Sequence, residues 1–326
     1  MATAEQLKAL LRSFAEGDDD RFLAVSMQMA AAAARRGQKK LSQALVALID
    51  KAKERKAQAP LGRPVPLARA SGELAGILAA SYPKTRLSDM VLAPDTKDRL
   101  CRLVSEYRQQ HKLRSHGLSA RRKLLLIGPP GAGKTMTAAA LAGELSLPLL
   151  AVQLHVVITK FMGETAAKLH LVFEQMMRAR GVYFFDEFDA IGSNRDTGND
   201  VGEIRRVLNS FLQFIELDDS DSLILAATNH AGMLDKALFR RFDDVIRYEH
   251  PTGGLAREMI ENRLAVFGVR GIDWSEVLNA SEGLSYAELA RACDDAARRV
   301  VLDDRAEVDM QTLVATILER QRFQKL

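Results

Sequence analysis

Cysteine is scarce in this chain of 326 residues, which contains only Cys101 and Cys293, far apart and without the spacing of metal ligands. Such a pair supports neither a disulfide framework nor a structural zinc site, and it suits the reducing environment of a cytosol. The six histidines are scattered, and none forms an H-x-x-x-H pair on a predicted helix. The composition therefore excludes a disulfide scaffold and any recognisable metal cluster.

Long apolar runs are also missing. No stretch reaches the roughly 18 apolar residues that a membrane-spanning helix needs, and the N-terminus lacks the apolar segment of a secretion signal. Aromatic residues make up 6% of the chain, hydrophobic residues 47% and charged residues 27%, as in ordinary soluble proteins. We therefore expect a cytoplasmic protein without membrane contact.

Charge is distributed unevenly along the chain. The net charge is +4, but residues 1–127 carry 24 Lys/Arg against 12 Asp/Glu, and residues 128–326 carry 22 against 30. A basic part of this kind is typical of a segment that binds nucleic acid or an acidic partner, or of the solvated faces of helices. The near absence of aromatic residues there favours the solvated faces.

The periodicity of apolar residues divides the chain into four segments. Residues 1–57 predict an N-terminal all-α bundle of three helices that recruits partners or clients, and residues 58–86 a proline-containing linker with a short helix at 72–80. Residues 87–250 alternate strands with helices, which predicts an α/β domain with a mostly parallel, three-layer sheet. Residues 251–326 predict a small helical domain. The predicted strands are 123–127, 149–154, 182–186, 223–228 and 245–248, and the main helices of the α/β domain are 95–111, 164–180 and 201–216.

The most specific motif follows the first of these strands. It fits the P-loop pattern G-x-x-x-x-G-K-[ST] and leads at Met136 into an alanine-rich helix. Small residues let successive backbone N–H groups surround phosphate oxygens, and the start of the helix adds favourable partial charge. Lys134 is placed to reach the β- and γ-phosphates, and Thr135 to ligate Mg²⁺. The motif consists of Gly128, Pro129, Pro130, Gly131, Ala132, Gly133, Lys134 and Thr135.

A second motif predicts hydrolysis. The apolar run at residues 182–185 ends in Asp186 and Glu187, so a buried strand delivers two carboxylates at its C-terminal end. Asp186 is expected in the Mg²⁺ shell, and Glu187 is expected to orient and deprotonate the attacking water. The two motifs together predict a Mg²⁺-dependent nucleotide hydrolase.

Further features in a fixed order point to a family. Asn229 ends the fourth strand, Arg240 and Arg241 follow a short helical segment, and residues 160–163 form a Lys-Phe-Met-Gly loop after the second strand. With the two motifs, this order resembles the AAA ATPases, in the branch that includes FtsH, NSF, katanin and spastin, over residues 87–326. The resemblance implies a P-loop AAA+ parallel sheet of order 5-1-4-3-2, a C-terminal helical lid at 251–326, and ATP bound between them. It also implies assembly of identical copies into a ring, usually a hexamer.

The resemblance implies a role for each of these residues. Asn229 resembles sensor 1, and Arg240 and Arg241 resemble arginine fingers that reach the γ-phosphate held by the neighbouring subunit. The loop of Lys160, Phe161, Met162 and Gly163 resembles a pore loop whose aromatic and apolar side chains grip an extended protein client. Residues 195–200 resemble a second pore loop.

The sequence departs from the wider family pattern in places. Gly283 to Leu289 match the helix start where many AAA+ relatives carry a sensor 2 arginine, but no arginine stands there, and Arg291 comes a few positions late. This absence is typical of the branch named above. Residues 88–92 occupy the position of the family's adenine contacts but lack the usual glycine. No H-E-x-x-H motif occurs, so any proteolytic partner, for example a subtilisin-like protease, is expected to be a separate chain.

Three functions remain compatible with the sequence. The leading hypothesis is an ATP-driven motor that remodels, unfolds or threads protein substrates through a ring pore. The second is a nucleic-acid-dependent ATPase that uses the basic N-terminal region, with binding that falls steeply as salt increases. The third is a switch whose nucleotide state gates a toxic or proteolytic partner without threading.

Overall fold

The computed structural model describes Ser26 and residues 72–158, 162–189, 201–267 and 269–324. Contacts divide the chain into two units, Met1–Gly62 and Arg63–Leu326, and the architecture below belongs to the second. Apart from Ser26, the bundle predicted at residues 1–57 lies outside the described residues, and its boundaries stay a prediction.

Six strands form the main sheet of this unit. They are β1 (Leu78–Ser81), β2 (Lys123–Ile127), β3 (Leu149–Val152), β4 (Val182–Phe185), β5 (Leu223–Thr228) and β6 (Asp244–Arg247). Their order across the sheet is β1-β3-β4-β5-β2-β6, and neighbours are parallel except for β1 with β3. The five parallel strands, numbered 1 to 5 from β2 to β6 along the chain, have the expected order 5-1-4-3-2. Strand β1 is an addition at one edge of the sheet.

This edge strand corrects the prediction of a helix at residues 72–80. Gly72–Gly76 form a 3₁₀ turn, and Leu78–Ser81 pair with β3. Leu78 is the one buried residue of the strand, and the backbone N–H of Gln153 donates to the carbonyl of Ile77 just before it. Main-chain pairing with a distant strand decides the conformation here, so the local sequence pattern carries no signal for it.

Helices cover both faces of the sheet. They are α1 (Pro94–Arg108), α2 (Gln110–Ser115), α3 (Lys134–Leu145), α4 (Leu154–Val157), α5 (Met162–Arg178), α6 (Val201–Leu217) and the short α7 (Lys236–Phe239). Successive residues of β2 point to opposite faces. Leu124 and Leu126 belong to one buried cluster with residues of α1 and α3, whereas Leu125 and Ile127 belong to another with residues of α5 and α6. The predicted three-layer α/β arrangement is therefore confirmed.

The lid packs around a third buried cluster, which includes Ile260, Leu289 and Leu313. Its helices are α8 (Gly253–Leu264), α9 (Trp274–Ser281), α10 (Tyr286–Leu302) and α11 (Met310–Gln324). Two short parallel strands, β7 (Val269–Arg270) and β8 (Val308–Asp309), add to the predicted helical pattern. Strands of two residues have no periodicity, which is why the sequence does not reveal them.

Gly143 lies within α3 and faces the backbone of Pro83 and Thr85, in the segment between β1 and α1. A Cβ at this position would lie 2.0 Å from the carbonyl oxygen of Thr85. We expect Gly143→Ala to lower the thermal unfolding midpoint by several degrees, because an overpacked site costs about 1–3 kcal/mol. This cost exceeds the gain of about 1 kcal/mol from the higher helix propensity of alanine.

The matched control is Gly254→Ala in α8, where an added Cβ meets nothing within 4 Å. This variant is expected to keep the midpoint or raise it slightly. Differential scanning fluorimetry of the full chain measures both. Equal midpoints for Gly143→Ala and the unsubstituted protein would contradict the packing argument.

Candidate active site

The predicted motifs follow β2, β4 and β5, whose carboxyl ends meet at one edge of the sheet. A cavity of about 580 Å³ lies there, between the P-loop and the lid. We call it the first cavity. The structure brings the following predicted residues together in its wall: Pro130, Gly131, Ala132, Gly133, Lys134, Thr135, Met136, Asp186, Glu187 and Asn229.

Lys134 is almost fully buried in this wall, with 7% of its surface exposed. Its Nζ donates to the carbonyl oxygens of Gly128 at 2.7 Å and Pro129 at 2.8 Å, and to Asn229 Oδ1 at 2.8 Å. Burial lowers the pKa of Lys134, while the nearby Asp186 carboxylate opposes that shift. The predicted phosphate-binding lysine and the predicted sensor residue are therefore in direct contact.

Thr135 and Asp186 come together from different elements. The hydroxyl of Thr135, in the first turn of α3, donates to Asp186 Oδ2 at 3.0 Å, just after the end of β4. Hydroxyl and carboxylate oxygens are the hard ligands that Mg²⁺ prefers. The donor set thus fits the metal that the sequence predicts at these two residues.

Glu187 occupies a tight turn at the end of β4. Its φ of 50° lies in the left-handed region, which is uncommon for residues with a Cβ and is often found at functional sites. Its N–H donates to Asp186 Oδ1 at 2.9 Å, and the N–H of the buried Phe188 donates to the Ala227 carbonyl at 2.8 Å. The turn is thereby anchored to β5, and Glu187 is left exposed in the wall of the first cavity.

The lid forms the opposite wall of the first cavity. The N–H of Ala287, in the first turn of α10, donates to the carbonyl of Gly131 at 3.1 Å, so the lid contacts the P-loop through its backbone. The Arg263 guanidinium binds both carboxylate oxygens of Asp294, at 2.7 and 2.8 Å, and lowers the pKa of that carboxyl. The lining residues of the lid are Met259, Asn262, Arg263, Tyr286, Ala287 and Ala290.

Sequence reasoning missed most of these lid residues. Met259, Asn262 and Arg263 belong to α8, whose polar surface carries no motif, and only the fold turns this surface toward the P-loop. The start of α10 is the one part of the lid wall that a sequence signal, Gly283 to Leu289, reveals. Arg291 is exposed on α10 and is not among the lining residues.

The segment at the predicted adenine position is in place. Asp89, Met90 and Val91 line the first cavity, whereas Ser88 and Leu92 are not among its lining residues. A purine contact at these residues stays a prediction.

Arg240 and Arg241 lie outside the first cavity, in the turn between α7 and β6. The buried side chains of Leu238 and Phe242 anchor this turn on either side of the pair. Arg240 is exposed. The Nε of Arg241 lies 3.2 Å from Glu216 Oε2, as an ion pair without hydrogen-bond geometry.

The predicted pore loops fall largely outside the described residues. Lys160, Phe161 and residues 195–200 are not described, and Met162 and Gly163 are the first residues of α5. The roles of these loops stay predictions.

Most arginines in the described part of the basic N-terminal half are paired within the fold. Among the carboxylates that bind them, Asp95 and Glu106 also belong to residues 1–127. The others lie in the acidic remainder of the chain, so the two opposite charges meet inside one folded unit. The pairs are Arg99–Asp244, Arg108–Glu144, Arg114–Asp221, Arg121–Glu106 and Arg122–Asp218.

In the parts of the chain that the structure describes, no helix has the length and apolarity needed to cross a membrane. The same parts contain no group of three or more His, Cys, Asp or Glu side chains arranged to hold a metal ion.

Comparisons with known proteins identify relatives of this chain. The model of the ATPase family associated with various cellular activities (AAA) matches residues 124–250. The uncharacterized AAA family ATPase y4kL of Sinorhizobium fredii is 34% identical over 310 residues, which cover 94% of this chain and 92% of that protein.

Two ATP-dependent zinc metalloproteases FtsH are also similar. That of Lancefieldella parvula is 34% identical over 245 residues, or 70% of this chain, and that of Sulfurovum sp. is 30% identical over 265 residues, or 76% of this chain. The matched parts are 37% and 38% of those two proteins, so the chain spans well under half of their length.

The contact between Lys134 and Asn229 generates a prediction. Asn229→Ala removes the amide beside Lys134, the predicted phosphate-binding lysine, and we expect ATP turnover to fall about 10²–10³-fold, as for other polar groups aimed at developing charge. Nucleotide affinity should change less than about threefold, because the P-loop backbone and Lys134 remain. Phosphate release and binding of a fluorescent nucleotide measure the two effects separately.

Asn279→Ala is the control, because Asn279 is exposed on α9, away from the first cavity. It should keep both turnover and binding. Normal turnover in Asn229→Ala would remove Asn229 from the catalytic scheme.

Proposed function

This chain belongs to the AAA family of ATPases, and we propose that it works as a hexameric ring that uses ATP hydrolysis to remodel, unfold or thread protein substrates. One observation carries the assembly part of this proposal. Among the described residues, the cations that line the first cavity are Lys134 and Arg263, and Arg263 is bound to Asp294. This supports a second cation for the γ-phosphate that is supplied by another subunit.

The residues of this chain divide the proposed reaction among them. Water attacks the γ-phosphorus of ATP while Glu187 accepts a proton from it, and ADP and phosphate are released. Asn229 orients the water or a γ-phosphate oxygen next to Lys134. Thr135 and Asp186 would hold Mg²⁺, which neutralises charge on the phosphate oxygens when it is bound.

Arg240 and Arg241 are the proposed source of the missing cation. The side chains of Arg241 and Glu216 are 35% and 56% exposed, and an exposed ion pair of this kind is worth at most about 1 kcal/mol. An arginine supplied in trans contributes about 10³–10⁵ in rate, which corresponds to about 4–7 kcal/mol of transition-state stabilisation. Release of Arg241 from Glu216 is therefore a small cost beside the catalytic gain.

The names of the relatives support polypeptide as the substrate class. The FtsH proteins are named as ATP-dependent proteases, and the part of them that resembles this chain contains its ATPase residues. This sequence has no H-E-x-x-H motif. We therefore assign to this chain the ATP-driven handling of proteins. Any peptide-bond cleavage is assigned to residues outside this sequence or to a separate chain.

A subunit-mixing experiment tests the arginines. Glu187→Gln keeps both arginines but loses the catalytic carboxylate, and the double variant Arg240→Ala/Arg241→Ala keeps Glu187 but loses the arginines. Each protein alone should bind ATP and fail to hydrolyse it. A 1:1 mixture should regain about a quarter of the unsubstituted activity, because random assembly places a Glu187 site beside an intact arginine pair in about one site of four.

The two single variants, Arg240→Ala and Arg241→Ala, show which arginine dominates. Arg102→Ala, at an exposed position of α1, is the control and should keep full turnover. A mixture as inactive as its two components would contradict an arginine that acts across subunits. So would full turnover of the double variant on its own.

A substrate trap tests the threading part. Glu187→Gln, recovered from cells with bound ATP, should retain protein clients, and Glu187→Gln/Phe161→Ala should release them. Glu187→Gln/Phe323→Ala removes a phenylalanine that is 67% exposed on α11, and it controls for a general loss of surface contact. Mass spectrometry with and without nuclease treatment compares the three recoveries.

The outcomes of the trap separate the hypotheses. Clients lost with Phe161 and kept with Phe323 support a polypeptide motor. If the retained proteins are lost after nuclease treatment but are kept when Phe161 is replaced, the polypeptide motor would give way to a nucleic-acid-dependent ATPase. One constant protein partner, retained whether or not Phe161 is present, would replace it with a switch.

A further inference from the structure

Thr228 is the last residue of β5, and only 1% of its surface is exposed. Strand β5 lies between β2 and β4 and is parallel to both. The P-loop follows β2, and the turn that carries Glu187 follows β4. The carboxyl end of β5 therefore lies between these two segments, and the chain continues from Thr228 directly into Asn229.

The hydroxyl of Thr228 has two partners. It donates to Asp189 Oδ1 at 3.0 Å, and it accepts from the backbone N–H of His230, also at 3.0 Å. A hydroxyl has one proton to donate, and the side chain of a β-branched residue is stiff about χ1. Together the two bonds fix both the side chain and the direction of its proton.

The bond to Asp189 acts on the turn of Glu187, which lies two residues earlier in the chain. The φ of Glu187 is 50°, and uncommon backbone conformations of this kind persist only where the surrounding structure holds them. The N–H of Phe188 anchors the turn through the backbone, and the bond between Asp189 and Thr228 anchors it through a side chain.

The bond to His230 acts on the other side. It fixes the backbone just beyond Asn229, so Asn229 lies between two residues that the Thr228 hydroxyl joins. The Asn229 Oδ1 accepts a hydrogen bond of 2.8 Å from Lys134 Nζ. The same hydroxyl thus restrains the segments that carry Glu187 and Asn229.

The backbone carbonyl of Thr228 has a separate partner in the P-loop. It accepts a hydrogen bond of 3.2 Å from the N–H of Gly128. A change of the Thr228 side chain leaves this carbonyl in place. Removal of the hydroxyl is therefore expected to spare the P-loop and to affect the other two segments.

We propose that Thr228 is a positioning residue for ATP hydrolysis, whose hydroxyl keeps Glu187 and Asn229 in the relative placement that the reaction requires. Thr228 is not among the residues that line the first cavity, so it acts through Asp189 and His230. The inference rests on the roles proposed above for Glu187 and Asn229. A misplacement of about 1 Å can cost about 10²-fold in rate, so the loss should appear in kcat and not in nucleotide binding.

The test replaces Thr228 in the full chain. Thr228→Val keeps the shape and removes the hydroxyl, and ATP turnover at saturating nucleotide should fall about 30- to 100-fold. The affinity for a fluorescent nucleotide should change less than about threefold, because the P-loop backbone remains in place. Thr228→Ser restores a hydroxyl and should bring turnover back to within about threefold of the unsubstituted protein.

Variants of Asp189 test the partner of this bond. Asp189→Ala should lower turnover about as much as Thr228→Val, and the double variant should lose no more than either single one, because both changes remove the same bond. Asp189→Asn keeps an acceptor oxygen without the charge and should recover most of the turnover. This variant separates the bond from the charge of Asp189, which together with Asp186 opposes the lowering of the Lys134 pKa by burial.

Ser222→Ala is the matched control for loss of a buried hydroxyl. Ser222 is fully buried just before β5, at the opposite end of the same strand. Its hydroxyl accepts from the Gly181 N–H at 3.3 Å and donates to the Met176 carbonyl at 3.2 Å. This variant should lower the thermal midpoint, as Thr228→Val does, and should keep full turnover.

Several results would overturn the proposal. They are unchanged turnover in Thr228→Val, a loss that Thr228→Ser shares in full, and losses that multiply in the double variant with Asp189→Ala. Asp189→Asn as inactive as Asp189→Ala would assign the effect to charge and not to the bond. A nucleotide affinity that falls as much as turnover would make Thr228 a structural part of the P-loop instead.

Glu187→Gln, measured in parallel, separates this inference from the proposed function. If Glu187→Gln abolishes turnover and Thr228→Val does not, only the positioning role of Thr228 is wrong. If Glu187→Gln keeps turnover, the proposed role of Glu187 is wrong, and its positioning by Thr228 is refuted with it.

Discussion

The whole site depends on how closely two other segments approach the P-loop. A Cβ on Gly128 would lie 2.5 Å from the carbonyl oxygen of Tyr248, and a Cβ on Gly131 would lie 2.6 Å from the hydroxyl of Ser285. Gly131 also has a φ of 75°, which favours glycine for a separate reason. Because no side chain fits at either position, the end of β6 and the start of α10 both rest directly on the loop that is predicted to surround the phosphates.

Through this contact, strand β6 connects the P-loop to the turn that carries Arg240 and Arg241. It begins three residues after Arg241 and ends just before Tyr248, whose hydroxyl forms a buried hydrogen bond of 2.7 Å with Thr137 in α3. Burial raises the pKa of Tyr248 to about 12, so the phenol stays neutral and the bond persists at any physiological pH. The turn that carries both arginines is thus joined to the P-loop of the same subunit by one short, packed strand. If a neighbouring subunit engages those arginines, the path to this subunit's own phosphate site is only one strand long.

The sequence predicts those parts of the fold whose determinants are local. The strands at 123–127 and 223–228 consist mainly of apolar residues, and their observed limits agree with the predicted ones. The P-loop, Asp186, Glu187 and Asn229 follow strand ends, and parallel strands necessarily bring their carboxyl ends to one edge.

Strand β1 and the lid residue Asn262 cannot be predicted in this way, because their determinants are not local. Strand β1 forms by backbone pairing with a distant strand, and Asn262 lines the first cavity only because the lid folds back over the P-loop. The excess of basic residues misleads in the same way, since Asp244 and Asp221, which pair with Arg99 and Arg114, each lie more than a hundred residues further along the chain.

The lid has the construction of a single body. Helices α8 and α10 contribute Ile260 and Leu289 to the same buried cluster, and the Arg263–Asp294 pair joins their surfaces. Close-packed interiors transmit displacement and do not absorb it. A shift at Tyr286, where α10 meets the first cavity, therefore also moves α8, which contributes Met259, Asn262 and Arg263 to the wall of the same cavity. The two helices of this wall are then expected to move together, without any additional moving part.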